Sequence, residues 1–145
     1  MHNHNTDIPE LDIIDTAEQR FNKNVPYYLS GPMSGYPDFN FPEFEFYCSV
    51  LREAGITVQS PHEIDHHETP ESRGSLPYEV YMQAALDLME GCKGIILMPG
   101  WPQSTGACRE ISRSIDLGMP VYFIHDPDEW QDNIQLVDMN RRPPT

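Results

Sequence analysis

Apolar and polar positions along this chain switch between two periods. "VPYYLSGPMSG", residues 25–35, is a short apolar run that ends among Gly, Pro and Ser, as a strand entering a turn does. From Phe41 the period becomes helical: Phe41, Phe44, Cys48 and Leu51 recur on one face until Gly55 stops the helix. "ITVQSP", residues 56–61, reads as a second short strand ended by proline. "LPYEVYMQAALDLMEGC", residues 76–92, is a second amphipathic helix. "GIILMPGW", residues 94–101, has five apolar residues before a Pro-Gly turn and no polar alternation, the pattern of a strand buried on both faces. "STGACREISRSIDLG", residues 104–118, is a third helix, with Ser104 as N-cap and Gly118 as stop. "PVYFI", residues 120–124, and "IQLVDM", residues 134–139, read as the last two strands.

Strands alternating with helices predict a single-domain α/β fold over residues 25–145. The expected architecture is a flavodoxin-like, Rossmann-like open parallel sheet with helices on both faces. Such sheets bind ligands beyond the carboxyl ends of their strands. That rule selects the loops at 30–36, 61–76, 99–106 and 125–130. Residues 1–24 form a polar, acidic leader with one short helical turn around "LDIIDTAEQRF". It reads as flexible or as an arm that docks on a partner subunit.

Charge narrows the partners. With 23 acidic and 9 basic residues the net charge is −14. That field repels phosphate backbones and argues against general nucleic-acid binding. It admits an acidic mimic of DNA, although the acids are spread along the chain as in a soluble acidic enzyme. No apolar run reaches the ~20 residues of a membrane span, and the start lacks a secretory signal. The three cysteines form no C-x-x-C pair, which fits reduced, buried thiols in a cytoplasmic protein.

His62-Glu63-Ile64-Asp65-His66 matches H-E-x-x-H, the pattern of zinc peptidases. The peptidase motif needs a helix that puts both histidines on one face. Here Pro61 and Pro70 bracket the segment and no apolar stripe holds a helix. The match reads as an accident in a solvated loop over the pocket, and no metal or organic cofactor is implied.

Two glycine-containing loops remain. "SGPMSG" lacks G-x-G-x-x-G, and "PGWPQSTGACRE" lacks a Walker lysine. Ser104 and Gly106 nonetheless open a helix whose free N–H groups favour an anion and whose glycine admits a close ligand. Glu110 lies about one turn inside that helix. By spacing alone it reads as a surface acid stabilised by the helix N-terminus.

Together, "YYLSGPMSG" and "CKGIILMPGWPQSTGACREISRSIDLGMPVYFI" resemble the two signatures of the nucleoside 2-deoxyribosyltransferase-like superfamily. That group includes deoxynucleoside 5′-monophosphate N-glycosidases and small phage and bacterial relatives with the "PGW" loop. The resemblance covers roughly residues 26–125. It implies that Glu110 is a nucleophile toward C1′ of a deoxyribosyl group and that Tyr28 positions it. Gly31, Met33 and Gly35 would line the sugar and Ser104 would bind a phosphate. Ser30, Ser34, Pro99, Gly100, Trp101 and Gly106 would complete the substrate site. It also implies a homo-oligomer acting on a small nucleoside or nucleotide.

The chain departs from that pattern twice. Relatives carry an aspartate at the position of Ala85, where it binds the sugar and handles protons near the leaving base. Asp87 lies roughly 200° further around the helix, with Glu79 and Gln83, and reads as solvated. The proton would then come from Glu63, Asp65 or His66, or the substrate needs less help, or the site binds without cutting. The monophosphate hydrolases place an arginine where this chain has Ser34, so phosphate would rest on Ser104, backbone N–H groups and Arg109 or Arg73. Nucleosides and nucleotides both stay open, and a nucleotide-binding protein of weak activity is the main alternative.

Overall fold

Successive residues of an extended strand point to opposite faces, and in this chain both sets are apolar. The computed structural model of the protein describes residues 11–12, 25–33, 35–64, 77–126 and 135–139. In strand β2 (Tyr27–Ser30), Tyr27 and Leu29 enter one core while Tyr28 enters another. In β4 (Gly94–Leu97) and the residue after it, Ile96 and Met98 join the first core, and Ile95 and Leu97 the second. Tyr122 and Ile124 of β5 (Val121–His125) divide from Val121 in the same way.

A sheet that is apolar on both faces must be covered on both. Helix α1 (Phe41–Glu53) buries Phe44, Tyr47, Cys48 and Leu51 in the first core. Helix α2 (Tyr78–Glu90) buries Ala85 and Met89 in the second, where Ile111 of α3 (Thr105–Asp116) also packs. The result is the expected α/β fold with helices on both faces.

Strand β3 (Val58–Gln59) and β6 (Gln135–Asp138) complete the sheet together with β1 (Leu11–Asp12), in the order β1-β6-β5-β4-β2-β3. Strands β3, β2, β4 and β5 run parallel, with Tyr28 opposite Ile95 and Ser30 opposite Leu97. The chain leaves β2 for α1 on one face and leaves β4 for α3 on the other. The crevice between their carboxyl ends is therefore the topological switch point, where open sheets of this kind bind ligands.

Two elements differ from the sequence reading: β6 runs antiparallel to β5 and does not continue the expected parallel sheet, and the leader contributes a strand. Leu11–Asp12 extends the sheet, pairing antiparallel with β6, and is not part of a helical turn. The outer edge of β6 carries backbone groups that need partners, and these two leader residues supply them. The rest of the leader lies outside the described residues. Before α1, Asp38, Phe39 and Asn40 all hold positive φ, at 53°, 53° and 63°. Asn40 Nδ2 donates to the Pro32 carbonyl at 2.9 Å, which ties this turn to the loop after β2. Among the described residues, no helix is long and apolar enough to cross a membrane.

Gly94 stands where β4 passes closest to the chain entering β5. A Cβ there would lie 2.9 Å from the Pro120 carbonyl oxygen and 3.2 Å from Tyr27 Cδ2. Backbone cannot move aside as a flexible side chain can. Gly94→Ala is expected to destabilise the fold by about 1–3 kcal/mol, the usual range for overpacking, read as a lower urea midpoint at unchanged m-value.

Candidate active site

Tyr28 and Ser30 are two residues apart on β2, so both side chains leave the sheet on the face covered by α3. There they meet Glu110. Tyr28 Oη donates to Glu110 Oε2 at 2.6 Å, and Ser30 Oγ donates to Oε1 at 2.5 Å. Glu110 is only 5% exposed, and both hydroxyl-bearing residues are fully buried. It is thus not the surface acid that its position in α3 suggested.

Burial pushes the Glu110 carboxyl up to about 7, against the pull of the Ser30 and Tyr28 hydrogen bonds and the nearby Arg109 charge. The same burial, followed by the charge of Glu110, raises the Tyr28 phenol well above its ordinary value. Tyr28 and Ser30 therefore stay protonated and act as donors. Each carboxylate oxygen accepts one hydroxyl hydrogen, which leaves lone pairs for a ligand.

Glu110 forms part of the wall of a cleft of about 560 Å³ at the carboxyl ends of β2 and β4. Gly31, Pro32 and Met33 after β2 line it, opposite Ser104, Thr105 and Gly106 at the start of α3. Gly31 is glycine because of packing: a Cβ would sit 2.9 Å from Met98 Cβ and closer still to its Sδ. Ser104 caps α3 as its sequence position indicated, its Oγ accepting from Ala107 N at 3.0 Å. At Gly106 a Cβ would make ordinary contacts, 3.8 Å from Met82 Sδ and from Tyr78 Oη, so the glycine widens the cleft without being forced by the fold.

The structure thus gathers Gly31, Met33, Ser104, Gly106 and Glu110 at one cleft, with Tyr28 and Ser30 behind the carboxylate. Gly35 occupies an exposed turn at φ 85° away from the lining. Gly100, at φ 91°, turns the chain beside Tyr36 and Pro32, and Trp101 packs against the second core. Neither these two nor Pro99 is among the lining residues. Ser34 lies outside the described residues.

Helix α2 supplies a wall that the sequence reading did not assign. Tyr78, Glu79, Tyr81 and Met82 all line the cleft. The buried stripe of α2 is Met82, Ala85 and Met89, while Tyr78 is 44% exposed over the cleft mouth. Tyr81 Oη lies 2.9 Å from Met33 Sδ and 3.0 Å from the Pro61 carbonyl, its one hydrogen shared between two acceptors, which brings three walls together. The signal was present as tyrosines spaced along one helix, but the packing direction of that helix was not. Asp87 is exposed and accepts from Gln83 Nε2 at 2.9 Å, as a solvated acid does.

The H-E-x-x-H segment is committed elsewhere. Pro61–Glu63 is a 3₁₀ turn, not an α-helix. His62 is buried, not solvated as the loop reading expected, because Phe41 and Phe44 pack against its ring at 5.5 and 5.8 Å. Its Nδ1 lies 2.6 Å from Ser60 Oγ. Glu63 pairs with Arg52 at 2.8 Å, and His66 lies outside the described residues. Among those residues no group of three or more His, Cys, Asp or Glu could hold a metal. Of the cysteines expected to be buried, Cys48 is, Cys92 is half-buried and Cys108 is exposed.

Because the Glu110 carboxyl rises from 4.5 to about 7 on folding, the native state holds the extra proton between those values. The contribution of Glu110 to native stability must then fall as pH rises through that window. Glu110→Gln removes the titration while keeping an amide that Tyr28 and Ser30 can bond. Denaturation from about pH 4.5 to about pH 7.5 should show the variant gaining about 3 kcal/mol on the wild type, and a flat difference would contradict the burial argument.

Comparisons place this geometry within a family. No curated protein and no solved structure matches the chain. Residues 25–123, more than half of the sequence, match the family described as "Domain of unknown function (DUF4406)". The match runs from just before β2 into β5 and takes in Tyr28, Ser30 and Glu110, and the chain belongs to that family.

Proposed function

We propose that the protein cleaves or exchanges the N-glycosidic bond of a deoxyribonucleoside or its 5′-monophosphate, through a glycosyl ester on Glu110. One observation carries this reading. A buried carboxylate, held by Tyr28 and Ser30 with its pKa pushed up to about 7, borders a cleft at the switch point of the sheet. The cleft volume falls in the range of small-molecule sites, and Tyr36, Tyr78 and Tyr81 give it aromatic walls against which a base can lie.

In the first step a Glu110 oxygen attacks C1′, and the C1′–N bond electrons leave with the base, which takes up a proton. In the second, water or another base attacks C1′, the ester bond breaks and the carboxylate is restored. This is the two-step logic of retaining glycosidases. Two hydroxyl donors fix the carboxylate for attack along one direction and stabilise its charge when it leaves.

A second reading has its own support. Ala85 is buried in the second core, Asp87 faces solvent, and Glu63 is occupied by Arg52. Among the described residues the other acid lining the cleft, Glu79, is paired with Arg109, so no spare acid is left to protonate a leaving base, and the loss of such a group costs about 10²–10⁴ in rate. On this reading the same cleft holds a nucleotide and cuts it slowly or not at all.

Chromatography of the protein incubated with deoxynucleosides and their 5′-monophosphates, with and without a second free base, separates the two. Glycosyl transfer predicts base release or exchange that Glu110→Gln abolishes while a ligand-induced rise in Tm survives. A rise in Tm with no turnover in the wild type would favour the holding protein.

Attack requires the ionised carboxylate. In an active protein, log(kcat/KM) should rise with pH and level off above a pKa near 7, the sign set by the raised carboxyl of Glu110. A limb that instead falls through that pH would make protonated Glu110 the working form and rule out its role as nucleophile.

A further inference from the structure

Among the described residues, which do not include Arg73, charge along the cleft does not favour an anion. Among the described residues that line it, Glu79 and Glu110 are acidic and Arg109 is the one cation. Arg109 is already engaged. Its Nη1 and Nη2 donate to Glu79 Oε2 and Oε1 at 3.3 and 3.4 Å, bridging α3 to the first turn of α2. Its guanidinium also lies over the Tyr78 ring, 5.7 Å from the centroid. Ser104 can offer a ligand only its hydroxyl hydrogen and a remaining lone pair, because its Oγ accepts from Ala107 N.

A 5′-phosphate is close to a dianion at neutral pH. In this cleft it would meet a guanidinium whose charge is cancelled by Glu79, with a second carboxylate nearby. The 3′- and 5′-hydroxyls of an unphosphorylated sugar meet no such repulsion, and a carboxylate accepts from them. Without Glu79, Arg109 would present a planar fork suited to phosphate, on the helix whose first N–H groups favour anions.

We infer that the Glu79–Arg109 pair is a specificity determinant that admits unphosphorylated nucleosides to the cleft and excludes their 5′-monophosphates. The inference rests on the glycosidic reading of the site and narrows its substrate class. The pair acts by local charge cancellation and not by holding the fold together. The Glu79 side chain is 75% exposed, and exposed pairs of this kind contribute little to stability. Removing it therefore leaves the cleft in place.

The test is calorimetric binding of deoxynucleosides and their 5′-monophosphates to the full chain, with Glu110→Gln in every arm so that ligands survive. Nucleosides should bind more tightly than the corresponding monophosphates. Glu79→Gln should tighten monophosphate binding by about tenfold, the scale of one charge-assisted hydrogen bond, and leave nucleoside binding unchanged. Adding Arg109→Gln should take that gain away. Monophosphates that bind the Glu79-containing protein as well as nucleosides do would overturn the inference and leave the glycosidic reading standing.

If neither class binds, the glycosidic reading falls, and inorganic phosphate still tests the pair. A rise in Tm with phosphate in Glu79→Gln, absent in the wild type and in the double variant, would support charge cancellation at Arg109. Equal responses in all three would overturn it.

Discussion

The contact between Glu110 and the two hydroxyls of β2 sets the orientation of everything around it. A carboxylate removed from water needs compensating hydrogen bonds, and Tyr28 and Ser30 provide one to each oxygen. Those bonds dock α3 onto the sheet with its acid inward, so that the helix start and the end of β2 face each other across the cleft. The compensation is incomplete, which is why the carboxyl stays raised to about 7. A site arranged only for stability would place an apolar residue there. The buried acid is therefore the strongest physical sign of function in the molecule.

The fold makes this contact possible by putting alternate residues of one strand to different uses. Tyr27 and Leu29 serve the core under α1, while Tyr28 and Ser30 serve the acid under α3. Close backbone approach at two glycines keeps the arrangement tight. Gly94 brings β4 against the start of β5, and Gly31 lets the loop after β2 lie on Met98. The α1 side is then held by aromatic packing, with Phe41 and Phe44 against His62, while Glu63 is engaged by Arg52. These contacts absorb His62 and Glu63, the first two residues of the zinc-like motif.

Helix α3 shows how a functional helix departs from the rule of an apolar buried stripe. Its buried residues are Ala107, Glu110 and Ser114, while Ile115 is 65% exposed. A small residue, an acid and a hydroxyl replace the usual core side chains, and apolar positions are left on the surface. The acidic balance of the whole chain has a local counterpart in the cleft, where two carboxylates and one guanidinium stand among the described residues.

The order of strands and helices from β2 onward, the two-faced sheet and the Ser104 cap were all legible in the sequence. Hydrophobic period and turn residues report local geometry, and each of those features is local. The two glycine loops were legible as the end of the sheet that carries the cleft, because an open α/β fold leaves its crevice beyond the strand ends. Other features depended on how elements pack. Glu110 reads as a surface acid until α3 is docked on β2. His62 reads as solvated until two phenylalanines of α1 cover it. Leu11–Asp12 reads as part of a helical turn until the edge of β6 pairs with it. Glu79 stays as exposed as its helix face implies, but only the packing of α2 beside α3 brings it to Arg109. Each of these depends on a partner far away in sequence, in the case of Tyr28 and Glu110 across 82 positions. No periodicity encodes such a distance. The sequence by itself determined the layers and the end of the sheet where the cleft lies, and tertiary packing alone decided which side chains meet there and in what ionisation state.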